Sequence, residues 1–294
     1  MFPIIPAASA ADSGNEEGIF GFGYGDSGGV GMTNLVSNSG VVATDVTAVG
    51  TARWGLAACE YGGDKGIFGF GNTGSYTAAT NLVTSSGVVG SDVTGVGTGR
   101  GEGLAACSFG GDKGIFGFGS DDTGRVGMTN LVSSSGVVAS DVSAVGTARN
   151  SVAACEYGED KGIFGFGSIS PVTAITNLVS NTGVVGSDVT GVGTARNFLA
   201  ACGYGYDKGI FAFNGYTNLV SNAGVVATDV TQVGTARGRL AATQYGGDRG
   251  IFGFGYVSST NQSMTNLVSN AGVIATDTTG VGTIRRELGA CSFN

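Results

Sequence analysis

The stretch Arg285-Arg286-Glu287-Leu288-Gly289-Ala290-Cys291-Ser292-Phe293-Asn294 reads as the opening of a unit found complete elsewhere in the chain. Its counterpart Arg53-Trp54-Gly55-Leu56-Ala57-Ala58-Cys59-Glu60-Tyr61 runs on through a Gly/Asp turn into Gly66-Ile67-Phe68-Gly69-Phe70-Gly71. After Asn294 that continuation is missing, yet Gly18-Ile19-Phe20-Gly21-Phe22-Gly23 stands near the other end without a preceding partner. The two fragments together make one whole unit.

Working outward, "GIF" recurs at Gly18, Gly66, Gly114, Gly162, Gly209 and Gly250. "TNLV" begins at Thr33, Thr80, Thr129, Thr176, Thr217 and Thr265. An arginine ends each "GTAR"-type segment: Arg53, Arg100, Arg149, Arg196, Arg237 and Arg285. Internal repeats of about 40–50 residues point to propellers or solenoids. Each unit divides into four strand-like pieces: a ("LAACEY"), b ("GIFGFG"), c ("TNLVS") and d ("VVATDVTAV"). Gly beside Asn or Ser supplies the positive φ that tight turns between them need. There is no helical periodicity. The pattern predicts an all-β, six-bladed β-propeller with four antiparallel strands per blade, closed by pairing of Leu288–Phe293 with Gly18–Gly23. Such closure removes an exposed sheet edge. Residues 1–17 read as an N-terminal extension arm and residues 18–294 as the propeller.

Composition agrees with this. The chain of 294 residues holds 57 Gly, 3 Pro, no His and 12% charged residues, with 41% hydrophobic. That hydrophobic share argues against disorder despite the glycine. The net charge of −8 argues against nucleic-acid binding and attraction to anionic membranes. No apolar run approaches the roughly 20 residues of a membrane span. Cys59, Cys107, Cys155, Cys202 and Cys291 share one small-residue context, and Thr243 holds the sixth position. They read as one structural position, reduced and inert, and not as a disulfide framework.

The arginine opening the inner strand and the Gly-rich end of strand b resemble kelch-type β-propeller repeats. "GFG" stands where kelch blades carry a Gly pair, and Trp54 lies in a loop. The units are also similar to propeller repeats of tailed-bacteriophage tail-fibre and other virion proteins: arginine, small inner strand "LAAC", "G-I-F-G-x-G", then a Thr-Asn strand. That resemblance spans Gly18–Asn294. It implies a virion structural protein, tail-associated or surface-displayed, with other virion proteins as partners through the arm.

From Asn of "TNLV" to the arginine the spacing is 19 in every unit, whereas "GIF" to "TNLV" varies between 8 and 15. Length and sequence therefore vary in the b–c loops and just after the arginine, on one face. Variation confined to one face marks a binding surface. Trp54, Tyr76, Phe198 and Tyr216 are the candidate aromatics there for a host-surface glycan. Arg53, Arg100, Arg149, Arg196, Arg237 and Arg285 would either form an anion-binding ring at the channel mouth or brace neighbouring blades. Without histidine there is no Ser-His-Asp or Cys-His catalysis and no imidazole ligand. "GDSGG" at Gly25–Gly29 falls in a loop and reads as coincidence. No enzyme activity, metal or cofactor is expected. The alternatives are a free lectin-like module with six similar pockets, or an architectural capsid or tail decoration protein.

Overall fold

In a computed structural model the strands follow the repeat. The structure describes residues 15–47, 49–143 and 146–294; the arm up to Gly14 lies outside them. The described residues form an all-β fold of small antiparallel sheets without helices.

The second sheet shows how the repeat folds. Strand a is Ala57–Tyr61, b is Lys65–Gly69 and c is Thr80–Val83. Strand a pairs with b in the register Cys59↔Ile67, and b pairs with c in the register Ile67↔Leu82. The a–b turn requires left-handed backbone at Gly62 (φ 67°) and Gly63 (φ 77°). Three more sheets repeat the plan with a strands Ala105–Phe109, Ala153–Tyr157 and Ala241–Tyr245. A further sheet, led by Ala200–Tyr204, adds a fourth strand, Val230–Thr231. Besides a two-stranded hairpin of Ser120–Asp121 and Gly124–Arg125, one sheet remains: its strand a is Gly289–Phe293, which pairs antiparallel with Glu17–Gly25 as Ile19↔Cys291 and Glu17↔Phe293. The strand thus begins at Glu17, one residue before the expected boundary.

The a strands neighbour one another in a circuit. Gly289–Phe293 lies beside Ala57–Tyr61, then Ala105–Phe109, Ala153–Tyr157, Ala200–Tyr204 and Ala241–Tyr245, which returns to Gly289–Phe293. Side chains explain the close approach. A Cβ on Gly114 would stand 2.5 Å from Cys59 Sγ of the preceding sheet, so the glycine of "GIF" is the space the cysteine fills. A Cβ on Gly69 would stand 2.7 Å from the Phe116 ring of the next sheet. Between sheets the Phe22–Phe68, Phe70–Phe116, Phe118–Phe164 and Phe166–Phe211 rings meet edge to face at 5.1–5.2 Å. Ile19, Phe22, Phe68, Val83 and Phe293 form one such buried interface. The five cysteines are free and buried, and burial pushes their thiols above the usual range.

Piece d departs from the expected fourth strand. Apart from Val230–Thr231 it makes isolated bridges, for example Val36↔Val42 and Thr33↔Val46. The cause is an asparagine side chain inserted into the ladder. Asn34 Nδ2 donates to Ala43 O and to Asp45 Oδ1, both at 2.9 Å, between the two bridges. The same pair of bonds recurs at Asn81, Asn130, Asn177, Asn218 and Asn266.

At one end of the a strands a small cavity is lined by Glu60, Ser108, Glu156, Gln244 and Ser292. Asn15 covers it: its Nδ2 donates to Glu60 Oε2 at 2.5 Å, and Ser292 Oγ donates to the same oxygen at 3.0 Å. Burial raises the Glu60 carboxyl from 4.5 to about 7, against the opposing effect of these donors. Burial and the charge of Glu60 raise Glu156 as well. A carboxyl whose folded pKa is raised contributes stability below its unfolded pKa and loses it as pH rises through the folded one. Stability is therefore expected to fall between pH 4.5 and 7 on this account. Glu60→Gln should flatten that limb and raise the melting temperature at pH 8; a variant with the wild-type slope over this window would contradict it.

Candidate functional site: a pocket at the far end of the a strands

The six repeated arginines do not form an exposed ring. Arg53 is fully buried; its Nε donates to Phe70 O (2.9 Å), one terminal nitrogen to Thr51 O (3.3 Å) and the other to Asn81 Oδ1 (2.6 Å). Its guanidinium lies 4.2 Å from the Phe22 ring centroid, and Asp92 stands 3.6 Å from it. Arg100, Arg149, Arg237 and Arg285 repeat this arrangement. Arg196 differs in that its Nε has no partner, in the unit whose b–c connection is shortest. Burial lowers each of the six to about 10. The guanidiniums join a phenylalanine of one sheet to the asparagine of the next. No donor fork is left at a channel mouth for an anion. The aspartates beside them are held below the usual carboxylate range: although burial alone would raise Asp92, hydrogen bonds from Thr51 and Asn81 outweigh it.

The residues immediately after each arginine build the pocket. Leu56, Leu104, Val152, Leu199, Leu240 and Leu288 form its apolar floor, and the cavity is about 400 Å³. Just before the floor the backbone turns left-handed in every repeat, at Gly55 (62°), Glu102 (52°) with Gly103 (74°), Ser151 (54°), Phe198 (55°), Arg239 (57°) and Glu287 (55°). This conformation turns the peptide groups along the circuit. Glu287 N donates to Arg239 O, Arg239 N to Phe198 O, Phe198 N to Ser151 O, Ser151 N to Glu102 O, and Gly55 N to Glu287 O, at 2.8–3.3 Å. One residue of each sheet is therefore held beside the pocket by backbone bonds, whatever its side chain.

Those side chains differ. Arg239 pairs with Glu287 and lies 4.2 Å from the Phe198 ring centroid. Arg286 sits between Tyr24 and Tyr256, 4.8 and 4.4 Å from their centroids, and donates to Asn261 Oδ1 at 3.0 Å. Asn261 in turn donates to Asp26 at 2.8 Å. Tyr24 meets Trp54 edge-on at 5.1 Å. Tyr76 packs against Gly101, and burial together with the charge of Glu102 raises its phenol to about 12.

Of the candidate aromatics, Trp54 and Phe198 line the pocket and Tyr76 stands beside its Glu102 side. Tyr216 follows the Asn214-Gly215 turn and pairs with Phe213 and Thr231, away from the lining. Tyr24, Glu102, Ser151, Arg239, Arg286 and Glu287 join the site without having been singled out in the sequence. The available signal was the dipeptide after each arginine, which changes in every repeat while its surroundings do not. The "GDSGG" segment is a hairpin tip, with Gly25 paired to Gly28 around Asp26-Ser27. Among the described residues no group of three or more His, Cys, Asp or Glu is placed to hold a metal ion. No protein-family model matches this chain, and no curated protein sequence matches it either.

Proposed function

We propose that this protein is a non-enzymatic recognition module: a six-bladed propeller whose single axial pocket binds a host-surface glycan. Its setting would be a bacteriophage virion, tail- or fibre-associated, with residues 1–17 as the arm toward other virion proteins. The circuit of a strands, returning through Gly289–Phe293, supports closure into a ring. The observation that carries the functional reading is the set of left-handed residues at the pocket. Left-handed backbone costs a non-glycine residue roughly 1–2 kcal/mol. Glycine would serve all six repeats, yet it stands alone there only at Gly55; the second repeat has Glu102 before Gly103, and the other four have Ser, Phe, Arg and Glu. Left-handed residues also recur at the buried Phe22, Phe70 and their equivalents, but there the side chain is the same in every repeat; strain kept at a concave spot while the side chain changes supports a functional reading. Six positions carrying five residue types around one axis favour one ligand per chain over six equal lectin pockets.

The test is binding of the purified protein to intact host cells before and after enzymatic removal of surface glycans. Saturable binding that disappears on stripping is the expected result. Equal binding to both preparations would overturn the glycan reading, and no binding to either would leave the architectural role as the better account.

A further inference from the structure

We infer that the pocket takes the end of an uncharged saccharide and discriminates against acidic sugars, an inference that rests on the recognition role proposed above. Four charged side chains line the cavity, Glu102, Arg239, Arg286 and Glu287, and their formal charges cancel. Neither guanidinium is presented as an open fork. Arg239 is closed by Glu287, and Arg286 is held between two tyrosines and spends a donor on Asn261. A carboxylate or phosphate would have to compete with Glu287 for Arg239 and would set a second negative charge beside a carboxylate that is only 18% exposed. The net charge of −8 adds a long-range penalty for any anion.

An uncharged polyol meets none of these costs. Each sugar hydroxyl both donates and accepts, and the wall offers the two functions side by side. Glu102 and Glu287 accept, Arg239 donates through nitrogens not used by Glu287, and Asn150 and Ser151 can do both. Trp54 and Phe198 come from the second and fifth sheets, on opposite sides of the circuit, and supply apolar surface for the C–H faces of a sugar ring. The volume of about 400 Å³ lies at the small end of ligand pockets, so it suits a terminal sugar inserted end-on and not a long chain laid across.

Trp54 is the one tryptophan in the chain, so its fluorescence reports on this wall. The experiment titrates the full chain with methyl glycosides of glucose, galactose and mannose, with lactose and maltose, and with glucuronic and N-acetylneuraminic acids. Fluorescence and calorimetry are read at low and high salt. Expected is a saturable response to at least one uncharged sugar, unchanged by salt and weakened at least tenfold by Arg239→Gln. Saturation by the acids alone, weakening with salt, overturns the inference, as does the absence of any response. Cell binding of Glu102→Gly and Ser151→Gly separates the two levels. If those variants lose cell binding while only acids saturate, the ligand class falls and the pocket stands. If they bind cells like wild type, the recognition role itself falls.

Discussion

Arg53→Leu is expected to lower the stability of the chain by about 3–5 kcal/mol, the usual cost of removing one partner from a buried, hydrogen-bonded charge. The arginine is fully buried and supplies donors to Phe70 O, Thr51 O and Asn81 Oδ1. Leucine keeps apolar contact with the Phe22 ring but leaves the two buried acceptors, Phe70 O and Asn81 Oδ1, without their donor. Asp92 would also lose its nearest cation, 3.6 Å away. Arg53→Lys restores charge but not the planar fork, so it should recover only part of the loss. The comparison is Arg239→Leu, whose pair with Glu287 involves a side chain 35% exposed and is expected to be worth at most about 1 kcal/mol. Denaturant unfolding of the full chain measures both. A loss for Arg53→Leu no larger than that for Arg239→Leu would show that the repeated arginines do not brace the sheets.

Glu102→Gly and Ser151→Gly should have opposite effects on stability and on binding. Each relieves a left-handed backbone at φ 52° and 54°. After the entropy cost of glycine, about 0.5–1 kcal/mol of added stability per site is expected. Glu102 faces the Tyr76 phenol in the b–c loop of the preceding sheet, so its gain should be the smaller of the two; the backbone bond from Ser151 N to Glu102 O survives both changes. Cell binding should fall tenfold or more in each variant and beyond detection in the double variant. Melting temperature and binding measured on the same preparations decide the matter. Stability lost together with binding would mean that these side chains are structural. Stability gained with binding intact would mean that the strain serves no ligand.

The parts of the fold legible in the sequence are those where chain geometry and side-chain type point the same way. "GIF" requires glycine because Cys59 and its equivalents fill the space, and the Gly/Asp turn before it requires left-handed backbone. Strands a, b and c were therefore evident, as was the pairing of the first strand with the last. Piece d was misread because "VVATDV" has the β-branched alternation of a strand. What interrupts it is Asn34, nine residues upstream of the carbonyl it caps at Ala43. The arginines were visible as six copies, but their burial depends on a phenylalanine from one sheet and an asparagine from the next. The pocket was half visible. A search for aromatics reaches Trp54 and Phe198. It passes over Glu102, Ser151, Arg239 and Glu287, because the left-handed turn that carries them shows its glycine signature only at Gly55 and Gly103.

The closing pair of strands also determines how the molecule carries a load. Glu17 faces Phe293, and Glu16 N donates to Asn294 O, so the first and last strands emerge side by side at the end opposite the pocket. Pulling Glu16 and Asn294 apart would strain one ladder bond at a time, and the seam would unzip. Pulling on Asn15 while a ligand grips the pocket sets a different geometry. The strand Glu17–Gly25 is then drawn lengthwise between Gly289–Phe293 and Gly28–Val36, and both antiparallel ladders are loaded together in shear. The same hydrogen bonds are weak against separation of Glu16 from Asn294 and strong against tension running from Asn15 to the pocket.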